Sequence, residues 1–382
     1  MKVLHINDSP VFGGRENFIA ELCNQIAKEY NVSISILSLS SNLSLREKLK
    51  GSVQIRNLNI LDKNLNGIRL LFHSPFIIFK IRKFLLSYKP DIVHIHSFFS
   101  IFLLISIAVR LCPGNIQVVR TVHTSGLFYS STKWIDVFRL FVEKVATALN
   151  NTFVVAISKQ VLNNCAKAFT KQAKEIVLIY NGIDISKFSL KQNKSIRSQC
   201  GCSDNDVIGV YVARFDYGKN QDKLVKMWRS LGDLKSVKLW LIGDGPTYLN
   251  VTNMISQMEL SKNVICFGRS NDVPLILSNA DFALFPSSFE GFSIALIEKC
   301  ASGLPVIASD IPPFKEIINS GGEGFLVNLN DEKGWLEAIK YLATDVSVRT
   351  KMGEMAVLRA KNFSISITGE QYFDLYSRIL NH

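Results

Sequence analysis

Short apolar runs rich in β-branched residues alternate with longer amphipathic segments along the chain, and the series starts afresh near its middle. In the first half, Val3–Ile6, Ser33–Leu37, Ile92–Ile95, Gln117–Val122 and Phe153–Ile157 predict strands. Segments such as Glu16–Glu29 and Ile135–Ala148 predict helices between them. In the second half, strands are predicted at Val207–Val212, Lys238–Ile242, Val264–Phe267, Phe282–Phe285 and Val306–Ala308. Gln221–Leu231, Thr247–Met258 and Ile294–Ala301 predict helices there. This alternation is the pattern of parallel sheets built from βαβ units. The polar stretch Ser186–Cys202 reads as a linker, giving domains at 1–185 and 203–362 and a last helix at 363–382. Two doubly wound α/β sheets joined this way predict a cleft between the domains, lined by strand ends and helix N-termini, where such sheets bind ligands. Segment 40–75 is polar and poorly patterned and yields no assignment.

At 382 residues, with 47% hydrophobic and 20% charged, the chain has material for two cores and is not a disordered polymer. No stretch reaches the roughly 18 continuous apolar residues of a membrane span. Phe98–Val109, ended by Arg110, comes nearest and predicts a buried helix. MKVLHIND lacks the apolar region of a signal peptide, so a cytoplasmic location is expected. The seven cysteines are odd in number and scattered, which fits a reducing compartment and offers no zinc ligand set.

The net charge of +12 is unevenly divided. Residues 1–185 hold 22 Lys/Arg against 11 Asp/Glu, whereas residues 186–382 hold 22 against 21. The first half should therefore meet something anionic. No nucleic-acid motif or basic run is present, so nucleic acid is not expected. Basic and bulky apolar residues alternate in Leu70–Lys89. That stretch reads either as an interfacial helix on an anionic membrane or as an ordinary helix with Lys80, Arg82, Lys83 and Lys89 solvated.

The most informative segment is Phe285–Asp310, FPSSFEGFSIALIEKCASGLPVIASD. A strand ends near Phe285 and a helix begins near Ser293, so the N–H groups of Gly291, Phe292 and Ser293 form an anion site suited to phosphate. Glu290 precedes that helix and Glu298 lies within its first two turns. Carboxylates do not bind phosphate, so these two should face neutral hydroxyls. A diphosphate flanked by two polyols is a nucleoside diphosphate sugar. The plainer reading, Glu290 as a cap and Glu298 as solvated, leaves the Gly-rich surroundings unexplained. Arg214 and Lys219 follow a predicted strand and suit a diphosphate, although loop cations alone are a weak signal. Gly243 belongs to a Gly-Asp-Gly turn. Gly13 and Gly14 join the first strand to a helix and allow close backbone approach to a ligand. They do not make the Gly-x-Gly-x-x-Gly dinucleotide fingerprint, which disfavours a nicotinamide oxidoreductase. His94 and His96 share one face of a strand, as metal ligands could, but no third ligand is evident. His123, at the end of a strand, is the stronger cleft residue.

Together, Gly13-Gly14, His123, Asn181-Gly182-Ile183-Asp184, Arg214 with Lys219, Gly243-Asp-Gly-Pro246 and Glu290 to Glu298 resemble a family-4 retaining glycosyltransferase of the GT-B fold. The resemblance runs from the first strand to the last helix. It implies two Rossmann-like domains facing each other across a cleft, with the last helix crossing back onto the first domain through Tyr372, Phe373 and Tyr376. It assigns Arg214 and Lys219 to the leaving diphosphate, Glu290 to donor-sugar hydroxyls and Glu298 to the ribose. It places His123 against the donor sugar near C6 and the Gly14 N–H near the phosphate. No metal or other cofactor is expected, and no Asp-x-Asp motif occurs.

The implied partners are a nucleotide sugar, UDP-linked by family habit, and a saccharide acceptor. A polyprenyl-diphosphate-linked acceptor in capsule, exopolysaccharide or O-antigen assembly suits the basic first half. The expected location is then peripheral, on the inner face of the plasma membrane. Two rival functions share the architecture: a nucleotide-sugar 2-epimerase and a non-catalytic partner subunit.

Overall fold

The computed structural model describes residues 1–9, 13–40, 45–51, 53–61, 67–97, 99–124, 133–189, 194–232 and 236–381. Pro10, Val11, Phe12 and Phe98, as well as parts of 40–75 and 186–202, lie outside the described residues. The chain forms two compact units, residues 1–182 with 365–382, and residues 183–364.

The first unit begins β1 (Lys2–Asn7), α1 (Gly14–Glu29), β2 (Ser33–Ser40), β3 (Gln54–Leu61), α2 (Gly67–Tyr88) and β4 (Ile92–Ile95). It continues α3 (Phe99–Arg110), β5 (Gln117–Val122), α4 (Trp134–Leu149), β6 (Phe153–Ala156), α5 (Lys159–Phe169) and β7 (Glu175–Leu178). The seven strands lie in the order β3-β2-β1-β4-β5-β6-β7, and all pair in parallel. Strand order therefore reverses between β1 and β4, the position where such sheets open a crevice at their carboxyl ends. Both faces of the central strands are covered, so polar residues on them must find partners inside the protein. His5, His94, Arg120 and Thr121 are all buried in this way.

On one sheet face, Ile77, Ile81 and Leu85 of α2 join Phe102, Ile105 and Ala108 of α3 and Ala146 of α4 in one core. The expected buried helix near 98–109 is α3, with Phe102, Leu104, Ile105, Ala108 and Val109 inside. Two corrections concern segment 40–75. It contains a strand, β3, and the start of α2. β3 escaped detection because it is an edge strand whose residues QIRNLNIL mix polar and apolar side chains and are nowhere fully buried.

The second unit begins α6 (Lys194–Gln199), β8 (Val207–Val212), α7 (Gln221–Ser230), β9 (Val237–Ile242), α8 (Tyr248–Gln257), β10 (Val264–Gly268), α9 (Val273–Leu277) and β11 (Phe282–Phe285). It continues α10 (Ile294–Ala301), β12 (Val306–Ser309), α11 (Pro312–Lys315), β13 (Gly324–Val327), α12 (Glu332–Thr344) and α13 (Val346–Ala360). Its six parallel strands run β10-β9-β8-β11-β12-β13, with the reversal between β8 and β11. Residues 186–202, expected as a linker, belong to this unit instead. Phe188 is buried, and Arg197 reaches Asp281 Oδ2 at 2.9 Å, which also accepts from the Ile208 N–H. The polar composition looked like a linker because Arg197 is held by charge and backbone groups, while scattered apolar residues such as Phe188 and Cys202 pack inward.

The last helix, α14 (Ile365–Leu380), belongs to the first unit. Ile365, Thr368, Gly369, Tyr372, Leu375, Tyr376 and Ile379 form its buried stripe at helical spacing. Phe373 stacks on Tyr30 with centroids 4.0 Å apart, Arg378 pairs with Glu175 at 2.6 Å, and Thr368 donates to the Tyr180 carbonyl at 3.0 Å.

Candidate functional site

In the second unit, the loops after β8 and β11 meet at the strand-order reversal. The first carries Arg214 and Lys219, the second Glu290. Lys219 Nζ forms an ion pair with Glu290 Oε1. Arg214 is not part of this pair: its side chain is largely exposed and lies 3.9 Å from Asp216. Asn220, which the sequence did not single out, ties the two loops. Its side-chain amide donates to the Pro286 carbonyl at 2.7 Å and to Ser288 Oγ at 2.8 Å. Asn220 sits at φ 55°, a left-handed conformation that asparagine tolerates. Ser288 N–H donates to the Gly218 carbonyl at 2.9 Å. Tyr211 completes the seam by donating its hydroxyl to the Lys219 carbonyl at 3.0 Å. Phe289 lies so close to Gly218 that a Cβ there would stand 2.6 Å from its ring.

Helix α10 starts where expected, and its cap is Ser293, whose Oγ accepts from the Leu296 N–H at 3.3 Å. Glu290 is therefore not the helix cap. It pairs with Lys219 instead, which sets aside the reading of Glu290 as a cap. Gly291 and Phe292 precede the cap, Phe292 packing against Phe363. Glu298 lies on α10, partly buried. Beside it, Lys299 is wholly buried, donates to the Ala295 carbonyl at 3.1 Å and lies 4.6 Å from the Phe285 ring centroid. Burial pushes its ammonium down to about 8, partly opposed by Glu298. Such a lysine, in a stripe otherwise apolar, has no periodic signal beyond its breaking of the pattern.

Gly243 contributes by shape. Its N–H donates to the Gly268 carbonyl at 2.8 Å, and at φ 139° a Cβ would fall 2.0 Å from the Ala213 carbonyl oxygen, next to Arg214. Only glycine lets this turn close against the loop that carries the two cations.

In the first unit, Gly13 and Gly14 begin α1 beside the β1/β4 reversal. The Gly13 N–H donates to Glu16 Oε2 at 2.9 Å, so it is spoken for within the helix start. A Cβ on Gly14 would meet nothing among the described residues within 4 Å, leaving that backbone open to approach. Arg15 braces the turn, binding Glu16 at 2.8 Å, the His96 carbonyl at 3.0 Å and Asp8 at 3.2 Å. His123 follows β5, and its Nε2 lies 2.9 Å from His96 Nδ1. Burial, with Arg15 and Arg120 nearby, holds its pKa well below the usual histidine value, so the ring is neutral. The histidine pair has a third member after all. His5 of β1 stands opposite His94 of β4, and one ring nitrogen from each of His5, His94 and His96 lies within 4.8 Å of the other two. His5 was missed because strand order alone brings it beside residues far along the chain.

On the surface of the first unit, α4 carries an apolar stripe that the sequence did not reveal, and α2 exposes bulky apolar residues of the stretch Leu70–Lys89. Trp134, Val137, Phe138, Phe141 and Val145 are exposed on α4, and Phe72, Phe76 and Phe79 on α2. Helix periodicity showed amphipathic helices but not which apolar residues the core leaves out. Among the described residues, no helix is long and apolar enough to cross a membrane.

Known proteins match both units. The family described as Glycosyltransferase Family 4 matches residues 12–187, and that described as Glycosyl transferases group 1 matches residues 192–359. An Escherichia coli protein named UDP-Gal:alpha-D-GlcNAc-diphosphoundecaprenol alpha-1,3-galactosyltransferase is 26% identical, covering 90% of this chain and 88% of its own. A Campylobacter jejuni protein named N-acetylgalactosamine-N,N'-diacetylbacillosaminyl-diphospho-undecaprenol 4-alpha-N-acetylgalactosaminyltransferase is 23% identical, covering 92% of each chain. The crystal structure of Anabaena HepE in complex with UDP and glucose shares the fold, with a TM-score of 0.81, 18% identity and coverage of 99% and 100%.

Proposed function

Because the chain belongs to the family-4 glycosyltransferases of the GT-B fold, we propose that it is a retaining enzyme acting on a UDP-linked hexose and a lipid-linked saccharide in surface polysaccharide synthesis. The observation that carries the donor assignment is the Lys219–Glu290 pair, held at the β8/β11 reversal beside the start of α10. A cation, a carboxylate and the N–H groups of a helix start at one crevice match a diphosphate and the hydroxyls of the sugar attached to it. The names of the E. coli and C. jejuni relatives support a diphospho-undecaprenol-linked acceptor, and HepE, bound to UDP, supports uridine as the base.

In the reaction, the bond from the sugar C1 to the phosphate oxygen breaks and a bond from C1 to the acceptor oxygen forms on the same face. The acceptor proton passes to the leaving phosphate. Negative charge builds on the diphosphate, and Lys219, Arg214 and the N–H groups of residues 291–293 stabilise it. Lys219 engages Glu290 Oε1, so Oε2 is the oxygen that accepts from donor hydroxyls, while Glu298 takes the ribose diol. His123 and Gly14 keep the donor-binding roles implied by the family resemblance. Fixed cations do the work of a metal in this scheme, so activity should survive chelation by EDTA.

The aromatic residues exposed on α4 and on α2, with Lys80 and Lys83 exposed beside Phe76 and Phe79, support peripheral attachment to an anionic membrane. Cosedimentation with vesicles containing anionic phospholipid tests this, with Trp134 fluorescence as the local probe; no binding would remove the membrane from the scheme.

The first experiment is calorimetric titration with UDP, GDP and ADP, repeated on Glu298→Ala and Arg214→Ala. Micromolar binding of one nucleotide, weakened by both substitutions, is expected. Unchanged binding in the variants would displace the site. Product analysis then separates transfer from epimerisation: a glycoside should form only when acceptor is added, with no epimerised donor in its absence.

A further inference from the structure

A buried chain of hydrogen bonds runs through the first unit from α14 to His123. Tyr372 and Thr121 hydroxyls lie 2.8 Å apart, and Thr121 Oγ1 lies 2.8 Å from His94 Nε2. His94 Nδ1 lies 2.6 Å from the Tyr376 hydroxyl, which lies 3.5 Å from His5 Nε2. His5 Nδ1 then meets His96 Nε2 at 2.9 Å, and His96 Nδ1 meets His123 Nε2 at 2.9 Å. All six ring nitrogens of His5, His94 and His96 are thus engaged with protein groups. A metal ion among them would have to displace several of these bonds.

We propose that this chain runs one way and holds His123 as its Nδ1–H tautomer, making Tyr372, Thr121 and Tyr376 positioning residues for the histidine assigned to the donor sugar. The functional half of this statement rests on the glycosyltransferase reading of His123; the proton pattern does not. A neutral imidazole has one donor and one acceptor nitrogen, so each ring passes the direction on to the next. Burial keeps His94, His96 and His123 neutral and pushes His5 down to about 3.

The direction is set at the α14 end. Among the described residues, the Tyr372 hydroxyl has Thr121 as its hydrogen-bond partner. If it accepted from Thr121, its own proton would be buried without an acceptor. It therefore donates, and the Thr121 hydroxyl in turn donates to His94 Nε2. His94 must then carry its hydrogen on Nδ1 and donate to the Tyr376 oxygen, which frees the Tyr376 hydroxyl to donate to His5 Nε2. His5 donates from Nδ1 to His96, and His96 from Nδ1 to His123 Nε2. The ring of His123 is left with a donor on Nδ1. It would offer a sugar hydroxyl an N–H and not a lone pair, a difference that sets which hydroxyl orientation it accepts.

The test is nitrogen-15 NMR of histidine-labelled full-length protein, which has six histidines assignable by substitution. The expected pattern is a protonated Nδ1 and an unprotonated Nε2 for His5, His94, His96 and His123. Tyr376→Phe should move the His123 Nε2 signal toward the protonated range, because the rings beyond the break lose their fixed direction. If that variant does not fold, Thr121→Val cuts the chain nearer its start and should move His123 the same way, whereas Thr121→Ser should keep the parent pattern. A His123 protonated on Nε2 in the parent protein, or shifts unmoved by these cuts, would overturn the proposal. So would stoichiometric zinc in the purified protein, or zinc titration that moves the His5, His94 and His96 signals. Titrating UDP into the same sample keeps the two readings apart: absence of binding would count against the donor site while the tautomer pattern stood.

Discussion

Asn220 donates from its side-chain amide to the Pro286 carbonyl at 2.7 Å, latching the loop after β8 to the loop after β11. The bond spans 66 residues of sequence and holds Lys219, the neighbour of Asn220, where it meets Glu290. Asn220→Asp keeps the size and tolerates the left-handed backbone but puts a carboxylate against a carbonyl. Nucleotide affinity is expected to fall about tenfold, equivalent to ~1.4 kcal/mol. Calorimetry, with circular dichroism showing an intact fold, checks it; unchanged affinity would mean that the latch does not shape the site.

Lys219→Ala and Glu290→Gln separate charge stabilisation from sugar recognition. Loss of the lysine removes a preorganised cation from the leaving diphosphate, and kcat is expected to drop about 10²- to 10³-fold. Glu290→Gln should lower kcat for the complete donor while leaving the Kd of free UDP within about threefold, since the carboxylate is assigned to the sugar. Steady-state kinetics and UDP titration on both variants give the comparison.

Lys299 makes stability depend on pH in the second unit. Its folded pKa, about 8, lies below the ordinary 10.5 because of burial. Between these values the unfolded chain holds a proton that the folded one lacks, so stability rises with pH across that window. Below pH 8 the buried charge costs about 3 kcal/mol on this scale. Lys299→Met should therefore raise the melting temperature at pH 7, with the gain closing as pH approaches 10.5. A gain independent of pH would assign the effect to packing alone.

Arg120 and Glu143 form a fully buried ion pair at 2.8 Å, with Glu143 also accepting from the Phe99 N–H at 3.1 Å. The Arg120 guanidinium lies 4.1 Å from the Phe102 ring centroid. Glu143→Ala leaves a charge without its counter-ion in the sheet core and is expected to cost about 3–5 kcal/mol. Urea unfolding followed by circular dichroism measures it, and a loss below about 1 kcal/mol would show that the arginine is readily re-solvated.

Alternating strand and helix patterns in both halves determined two parallel α/β sheets, because burial on both faces leaves a mainly apolar run for each inner strand. Local spacing likewise placed Glu290 before α10 and Glu298 on it, since a loop and two helical turns are described by their own few residues. Long-range neighbours were decided elsewhere. His5 meets His96 across 91 residues, and His94 meets Tyr376 across 282, through strand order and the return of α14 to the first unit. Edge strand β3, the second-unit membership of 186–202 and the exposed stripe on α4 were also settled only by packing. Periodicity reports which side of an element is apolar. What that side, or a buried polar group on it, will touch depends on elements distant in the chain, and only the tertiary structure brings them together.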